Sequence, residues 1–152
     1  MKFIDTHSHL YSEQFDNDRS KVINDAISNG VETILLPNIS SSYTKRMLDM
    51  CRQFPDNCYP MMGLHPCDVT EQNYDIEIAH VEEELAKGTY IGVGEIGLDL
   101  YWNKTALNIQ KKAFIHQINL AKDYKLPIAI HVRDSFAEAI EIIEELNDDN
   151  LT

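Results

Sequence analysis

Apolar and polar positions along the chain follow two alternating patterns. Short apolar runs of strand length are each followed by a longer stretch in which apolar residues recur every three or four positions. After Thr105, for example, Leu107, Phe114 and Ile118 fall on one helical face. The apolar runs predict five strands, at Lys2 to Thr6, Val31 to Pro37, Cys58 to Gly63, Tyr90 to Glu95 and Leu126 to Val132. The pattern therefore predicts five consecutive β/α units.

Such alternation predicts a parallel sheet, because parallel neighbours need a crossover connection. The sheet is either open and doubly wound or closed into a barrel. Polar candidates end most of the predicted strands, namely His7 and His9, His65, Glu95 and His131. Contributions from many strand ends are typical of the (β/α)8 barrel, whereas an open sheet concentrates them at one switch point. We therefore predict an α/β fold of the TIM-type (β/α) barrel.

The length of the chain limits how much of a barrel it forms. A full barrel takes roughly 200 residues or more, and this chain of 152 residues ends after its fifth predicted helix. We expect a single domain over residues 1–152 that comprises the first five β/α units of eight. Its first and fifth strands would then be unpaired edges, which favour self-association.

Composition indicates an ordinary soluble globular chain, with 43% hydrophobic residues and a formal net charge of −12. Proteins that grip nucleic acid by its phosphates usually carry a basic face, so an anionic substrate must be attracted locally. Cys51, Cys58 and Cys67 form no C-x-x-C pair, and their odd number argues against a disulfide framework. The N-terminal residues do not resemble a signal peptide, and no run of about 18 apolar residues predicts a membrane span. We expect a cytoplasmic protein with no membrane partner.

The pair His7 and His9 is the strongest chemical signal. On a strand this spacing places both rings on one face, where both can hold one metal ion or act as hydrogen-bonding groups. Glu95 follows an apolar run within Gly92 to Asp99, and an unpaired buried carboxylate there costs several kcal/mol. A bridging carboxylate also lets two cations lie about 4 Å apart. With His131 at a neighbouring strand end, these residues predict a metal centre.

Three further residues each have two interpretations. His65 either contacts a reacting phosphate or donates a proton, or is hydrogen-bonded in a rigid proline turn. Arg133 either binds a phosphate or pairs with Asp134 or Glu138. Trp102 either stacks on a nucleic-acid base or covers the barrel mouth.

Five motifs run through the chain in order: Asp5-Thr-His-Ser-His-Leu10, Gly63-Leu-His-Pro66, Gly94-Glu-Ile-Gly-Leu-Asp99, Gln110 to Ala121 (Q-x-x-x-F-x-x-Q-x-x-L-A) and Leu126-Pro-Ile-Ala-Ile-His-Val-Arg133. Together they resemble the TatD family of metal-dependent deoxyribonucleases, part of the amidohydrolase-like barrel group. The first motif alone occurs in many metal hydrolases, whereas the set of five is highly specific.

The resemblance implies a divalent-metal phosphodiesterase acting on DNA, often from the 3′ end, with two ions of Mg, Mn or Zn. His7 and His9 would bind one metal, Glu95 would bridge, and His131 would bind the second. The family also uses a histidine on strand six and an aspartate on strand eight, and the sequence ends before strand six. We therefore expect the 152 residues to lack these two ligands, and the activity of the chain in isolation to be impaired.

Two other interpretations remain open. The same barrel chemistry cleaves amides, esters and lactones, and the negative net charge suits a small or neutral substrate of an amidohydrolase-type enzyme. Alternatively, the chain is a non-catalytic module that acts through its exposed strand edges, alone or completed by a partner.

Overall fold

The structure is a computed structural model that describes residues 1–151. It contains five strands: β1 (Phe3–Asp5), β2 (Val31–Pro37), β3 (Cys58–Met61), β4 (Val93–Asp99) and β5 (Ile128–Arg133). One helix follows each strand: α1 (Arg19–Ser28), α2 (Ser41–Gln53), α3 (Tyr74–Leu85), α4 (Leu107–Tyr124) and α5 (Phe136–Leu146). The strict alternation that the sequence predicts is present, and the fold is α/β.

The five strands are parallel and lie side by side in chain order. β1, β2 and β3 form one hydrogen-bonded ladder and β4 and β5 form another. A single parallel bridge between Met62 and Val93 joins the two ladders. Because every strand runs in the same direction, all the carboxyl ends meet at one edge of the sheet, where parallel α/β folds place their active residues.

Burial is greatest at β4 and decreases toward both ends of the sheet. Every residue of β4 is buried, whereas β1 is exposed along its length and β5 is half-buried. The core between the sheet and the helices includes Ile96 and Leu98 of β4 and Phe114 and Ile118 of α4. None of the described helices combines the length and apolar character that a membrane crossing requires.

The fourth strand does not end where the sequence pattern predicts. The prediction ends it at Glu95, but β4 continues to Asp99, so Glu95 is the third residue of the strand rather than the last. The reason is the close approach of two backbones: a Cβ on Gly97 would lie 2.0 Å from the carbonyl oxygen of His131. In the sequence, Gly97 suggests the end of a strand. In the structure, its missing side chain allows β4 to continue alongside β5.

The first strand, in contrast, ends earlier than predicted. β1 ends at Asp5, so His7 and His9 lie in the segment after the strand and not on it. The Asp5 carboxylate accepts the backbone N–H of His7 at 3.1 Å, which stabilises this departure from the strand. The segment still follows β2, because the N–H of Ser8 donates to the carbonyl of Leu35 at 3.0 Å.

Candidate metal centre

Glu95 is the centre of a histidine cluster at the carboxyl edge of the sheet. The residue is only 6% exposed. Its Oε2 lies 3.0 Å from Nε2 of His7 and 3.0 Å from Nε2 of His9. Its Oε1 lies 3.0 Å from Nδ1 of His131. The two carboxylate oxygens therefore face different histidines, which is the arrangement that a carboxylate needs to bridge two cations.

The nitrogen and oxygen atoms of this cluster form two groups that could each hold a metal ion. One group is His7, His9 and Glu95, and the other is His65, Glu95 and His131, with the ligand atoms of each group within 4.8 Å of one another. Imidazole nitrogen and carboxylate oxygen are ligands that suit Zn, Mn and Fe. The residues present therefore fit divalent cations.

The first group needs a positive charge between its atoms. Nε2 of His7 and Nε2 of His9 are 3.2 Å apart, and both contact the same oxygen of Glu95. Three bare acceptor atoms at these distances would repel one another, so either a proton on one of the rings or a cation lies between them. The convergence therefore fits a cation that replaces the proton at this position.

The charges of the cluster shift the pKa values of its members. Burial alone would raise the pKa of Glu95, but its hydrogen-bond contacts with His131, His7 and His9 outweigh it and hold that pKa well below its usual range. The hydrogen bond to Glu95 raises the pKa of His7 and that of His131. Metal binding to these rings therefore competes with their protonation, because a ligand nitrogen must be free of its proton.

The far side of His131 is held by Asp99, which the sequence analysis did not select as a site residue. Oδ2 of Asp99 lies 2.9 Å from Nε2 of His131, and Asp99 is 1% exposed. A carboxylate on the far nitrogen of a histidine ligand orients the ring and increases its basicity. The signal was present in the sequence, because Asp99 is a carboxylate that directly follows an apolar strand segment.

Tyr11 holds the far side of His9 and was also missed. Its hydroxyl lies 2.7 Å from Nδ1 of His9 and donates to the carbonyl oxygen of Pro37 at 2.5 Å. Burial, together with the charge of Glu95, raises the pKa of the Tyr11 phenol above its ordinary value. The only sequence signal was spacing, since Tyr11 continues the alternate positions of His7 and His9.

His65 lies beside the cluster in a turn that begins a short 3₁₀ helix, Pro66–Asp68. Its Nδ1 accepts the backbone N–H of Cys67 at 3.1 Å, and its Nε2 is 3.8 Å from Oε1 of Glu95. Burial lowers the pKa of His65 to about 4, so the ring is neutral at pH 7. A neutral ring that accepts at Nδ1 carries its proton on Nε2. His65 therefore presents an N–H donor to the centre, and it could join the second metal group only by losing this proton.

The remaining predicted residues lie together at the rim. The guanidinium carbon of Arg133 is 3.6 Å from the ring centroid of Tyr101 and 5.5 Å from that of Trp102. We call these three residues the aromatic platform. The backbone N–H groups of Tyr101 and Trp102 donate to Oδ1 of Asp99 at 2.9 Å and 3.3 Å. Trp102 is 71% exposed, so the platform is open to a ligand.

A histidine and carboxylate centre at the carboxyl edge of a parallel β/α sheet defines the class of the metal-dependent hydrolase folds. Comparison with known proteins gives the family within that class. The family described as "TatD related DNase" matches residues 4–152. The chain belongs to this family.

Individual relatives agree with that assignment. The chain is 36% identical over 141 residues to the uncharacterized metal-dependent hydrolase YabD of Bacillus subtilis, a match that covers 93% of this chain and 54% of that protein. It is 32% identical over 126 residues to the 3′-5′ ssDNA/RNA exonuclease TatD of Rahnella sp. (strain Y9602), covering 83% and 48%. The chain thus spans about half the length of the curated relatives it matches.

Solved structures show the same fold. The crystal structure of YjjV, a TatD homologue from Escherichia coli, superposes with a TM-score of 0.84 at 27% identity, covering 95% of this chain and 56% of that one. The TatD family hydrolase from Entamoeba histolytica has a TM-score of 0.81 at 20% identity, covering 96% and 55%, and supports the fold alone.

Proposed function

We propose that this protein is a divalent-metal-dependent phosphodiesterase that hydrolyses single-stranded DNA from its 3′ end. The observation that carries the proposal is Glu95, whose two oxygens face separate sets of histidines in a member of the TatD-related DNase family. Relatives named 3′-5′ ssDNA/RNA exonucleases support this substrate class and add RNA as a second substrate to test.

In this proposal His7 and His9 would hold one divalent cation, His131 would hold a second, and Glu95 would be shared between them. Ions of Mg, Mn or Zn would supply Lewis-acid chemistry there, namely polarisation of a phosphodiester and a lower pKa for a water molecule. Such a centre also supplies local positive charge in a chain whose net charge is −12. The histidine rings need fixed orientations for this role, and Asp99 and Tyr11 hold two of them from the far side.

His65 acts as a hydrogen-bond donor in the proposed reaction. Its Nε2–H faces the cluster, and its low pKa keeps the ring neutral at pH 7, so the donor carries no charge. A donor in this position stabilises the charge that develops on a phosphate oxygen during hydrolysis. His65 is therefore proposed as a catalytic residue together with Glu95.

The aromatic platform binds the substrate strand. Arg133 attracts a phosphate, and Trp102 offers an exposed indole face on which an unpaired base can stack. Stacking requires a base that is not inside a duplex, so the platform favours single strands and frayed 3′ ends.

The five β/α units are proposed to be the first five of an eight-unit barrel. In the described residues β1 pairs only with β2, and β5 pairs only with β4. An apolar groove between these open ends is lined in part by Leu35, Met61, Ile128 and Ile130. Further strands that cover this groove would come from a continuation of the same polypeptide, from a second copy or from another polypeptide. Light scattering with and without metal tests self-association, and a monomer under both conditions contradicts it.

The proposal that the protein acts in the cytoplasm rests on its thiols. Cys51, Cys58 and Cys67 are all free in the structure, as expected in a reducing compartment. Fractionation of cells that express the protein tests this location.

The test of the nuclease proposal compares the protein with its Glu95→Gln variant. We expect the protein to release mononucleotides from the 3′ end of single-stranded DNA in Mg²⁺ or Mn²⁺, and the variant to lose both this activity and Mn²⁺ binding. Glu83→Gln, which removes one charge from the exposed face of α3, is the matched control. Activity of Glu95→Gln equal to that of the wild type contradicts the bridging role.

A second candidate function keeps the metal centre and changes the substrate. The negative charge of the chain favours a small or neutral amide, ester or lactone over a polyanion. Metal binding without cleavage of DNA or RNA at any metal concentration supports the hypothesis of an amidohydrolase-type enzyme. A chain that binds neither metal nor nucleic acid is instead the non-catalytic module.

A further inference from the structure

The hydroxyl of Tyr11 lies between a candidate metal ligand and the backbone of β2. Tyr11 is fully buried, and its hydroxyl oxygen is 2.5 Å from the carbonyl oxygen of Pro37 and 2.7 Å from Nδ1 of His9. A carbonyl oxygen can only accept, so the hydroxyl must donate its single proton to Pro37. Its oxygen is then an acceptor for His9. The hydrogen atom on the His9 side must therefore belong to Nδ1.

This assignment decides which nitrogen of His9 is free. A neutral imidazole has one N–H, so a proton on Nδ1 leaves the lone pair on Nε2. Nε2 is the atom that lies 3.0 Å from Oε2 of Glu95 and 3.2 Å from Nε2 of His7, at the centre of the first metal group. Its lone pair and the carboxylate do not repel each other there when the Nε2–H of His7, or a cation in its place, lies between them. The tautomer that Tyr11 selects is thus the one that can ligate a cation there.

We infer that Tyr11 is a positioning residue that holds His9 in the Nδ1–H tautomer, with Nε2 directed into the metal centre. The inference rests on the metal centre of the proposed function. His7 provides the contrast, because its side chain is 39% exposed and the hydrogen bonds of its ring involve Nε2 alone. Tyr11 therefore restricts one ligand of the pair more than the other.

Tyr11 is itself held firmly enough to act in this way. Its carbonyl oxygen accepts hydrogen bonds from Nη2 of Arg19 at 3.1 Å and from Nε of Arg46 at 2.9 Å. Both arginines also contact Oδ1 of Asp16. Because Arg19 belongs to α1 and Arg46 to α2, these hydrogen bonds tie the segment after β1 to two helices.

The experiment removes only the hydroxyl. Tyr11→Phe keeps the buried ring, and Tyr43→Phe is the matched control, since the Tyr43 ring packs 5.8 Å from that of Tyr11. Nitrogen NMR of the metal-free chain, at a pH where His9 is neutral, should show Nδ1 protonated in the wild type and a mixture of tautomers in Tyr11→Phe. Calorimetric titration with Zn²⁺ or Mn²⁺ should show affinity reduced about 10- to 100-fold in Tyr11→Phe and unchanged in Tyr43→Phe.

The outcomes separate this inference from the proposed function. A wild-type His9 that carries its proton on Nε2 overturns the inference, even if the variant fails to fold. Metal affinity of Tyr11→Phe within twofold of the wild type also overturns it. If the wild-type chain shows the expected tautomer but binds no metal, the role of Tyr11 in fixing the His9 tautomer is supported. In that case only the proposed metal centre is overturned.

Discussion

Replacing Gly97 by alanine should separate the two strands that carry Glu95 and His131. Gly97 has φ of +139° and pairs with His131 in the β4 and β5 ladder. An added Cβ would lie 2.0 Å from the carbonyl oxygen of His131 and 3.0 Å from its carbonyl carbon. Because both atoms belong to the backbone, no side-chain rotation can relieve the overlap. The strands must move apart, or β4 must change its conformation.

The magnitude follows from comparison with Gly88, which also has a positive φ, of +69°. A Cβ on Gly88 would meet nothing within 4 Å, so Gly88→Ala carries only the conformational cost of about 1 to 2 kcal/mol. At Gly97 backbone strain of about 1 to 3 kcal/mol combines with overpacking of about 1 to 3 kcal/mol. We expect Gly97→Ala to lose about 4 kcal/mol of the free energy of unfolding by these two effects.

Urea denaturation followed by circular dichroism measures both variants, and titration with Mn²⁺ measures the metal centre. Gly97→Ala should also lose metal affinity, because His131 moves with β5, whereas Gly88→Ala should bind like the wild type. Equal stability losses in the two variants, or unchanged metal affinity in Gly97→Ala, would show that the backbone contact between β4 and β5 does not fix the relative positions of Glu95 and His131.

Three further predictions concern charge, packing and metal. Burial alone raises the pKa of Glu84, but hydrogen bonds from a lysine and a tyrosine outweigh it and lower that pKa. Glu84 therefore stabilises the fold above its unfolded pKa of about 4.3. We expect the melting temperature of Glu84→Gln to lie below that of the wild type at pH 7 and the two to converge below pH ~4. A constant difference contradicts this. Phe114→Ala should cost about 3 to 5 kcal/mol in urea denaturation, because Phe114 is 1% exposed. Ile115→Ala, at a partly exposed neighbour, should cost under about 1 kcal/mol, and similar losses would argue against this core. Mn²⁺ at about 100 times its dissociation constant should add about 2.7 kcal/mol to the free energy of unfolding. A chelator, or Glu95→Gln, should remove this increment, and its persistence in the variant would place the metal elsewhere.

Periodicity in the sequence was sufficient to predict the order of strands and helices, but it predicted the ends of the strands less accurately. Buried strands and amphipathic helices differ in period, so five β/α units are readable without knowledge of any contact. Strand limits depend on neighbouring chains instead. Glu95 was expected at a strand end, but Gly97 lets β4 continue to Asp99 alongside β5. The end of β4 therefore depends on a contact between residues 34 positions apart. The only trace of this contact in the sequence is a glycine, which could equally mark the end of a strand.

The candidate ligands were also readable from the sequence, whereas the supporting residue Tyr11 was not. His7, His9, Glu95 and His131 belong to motifs of metal-binding residue types, and the structure brings them together. Tyr11 resembles any core tyrosine in the sequence. Its relation to the centre appears only when the carbonyl of Pro37, on another strand, shows which way its hydroxyl donates. The roles of all these residues in catalysis stay predictions.

The two oxygens of Asp99 connect the rim to the interior. One oxygen accepts the N–H groups at the start of the loop that carries Tyr101 and Trp102, and the other holds His131. Exchanging this loop with that of a relative would also disturb His131, the proposed metal ligand, unless the aspartate and both of its N–H donors are transplanted with the loop. Substrate preference and metal affinity in this protein therefore should not evolve independently.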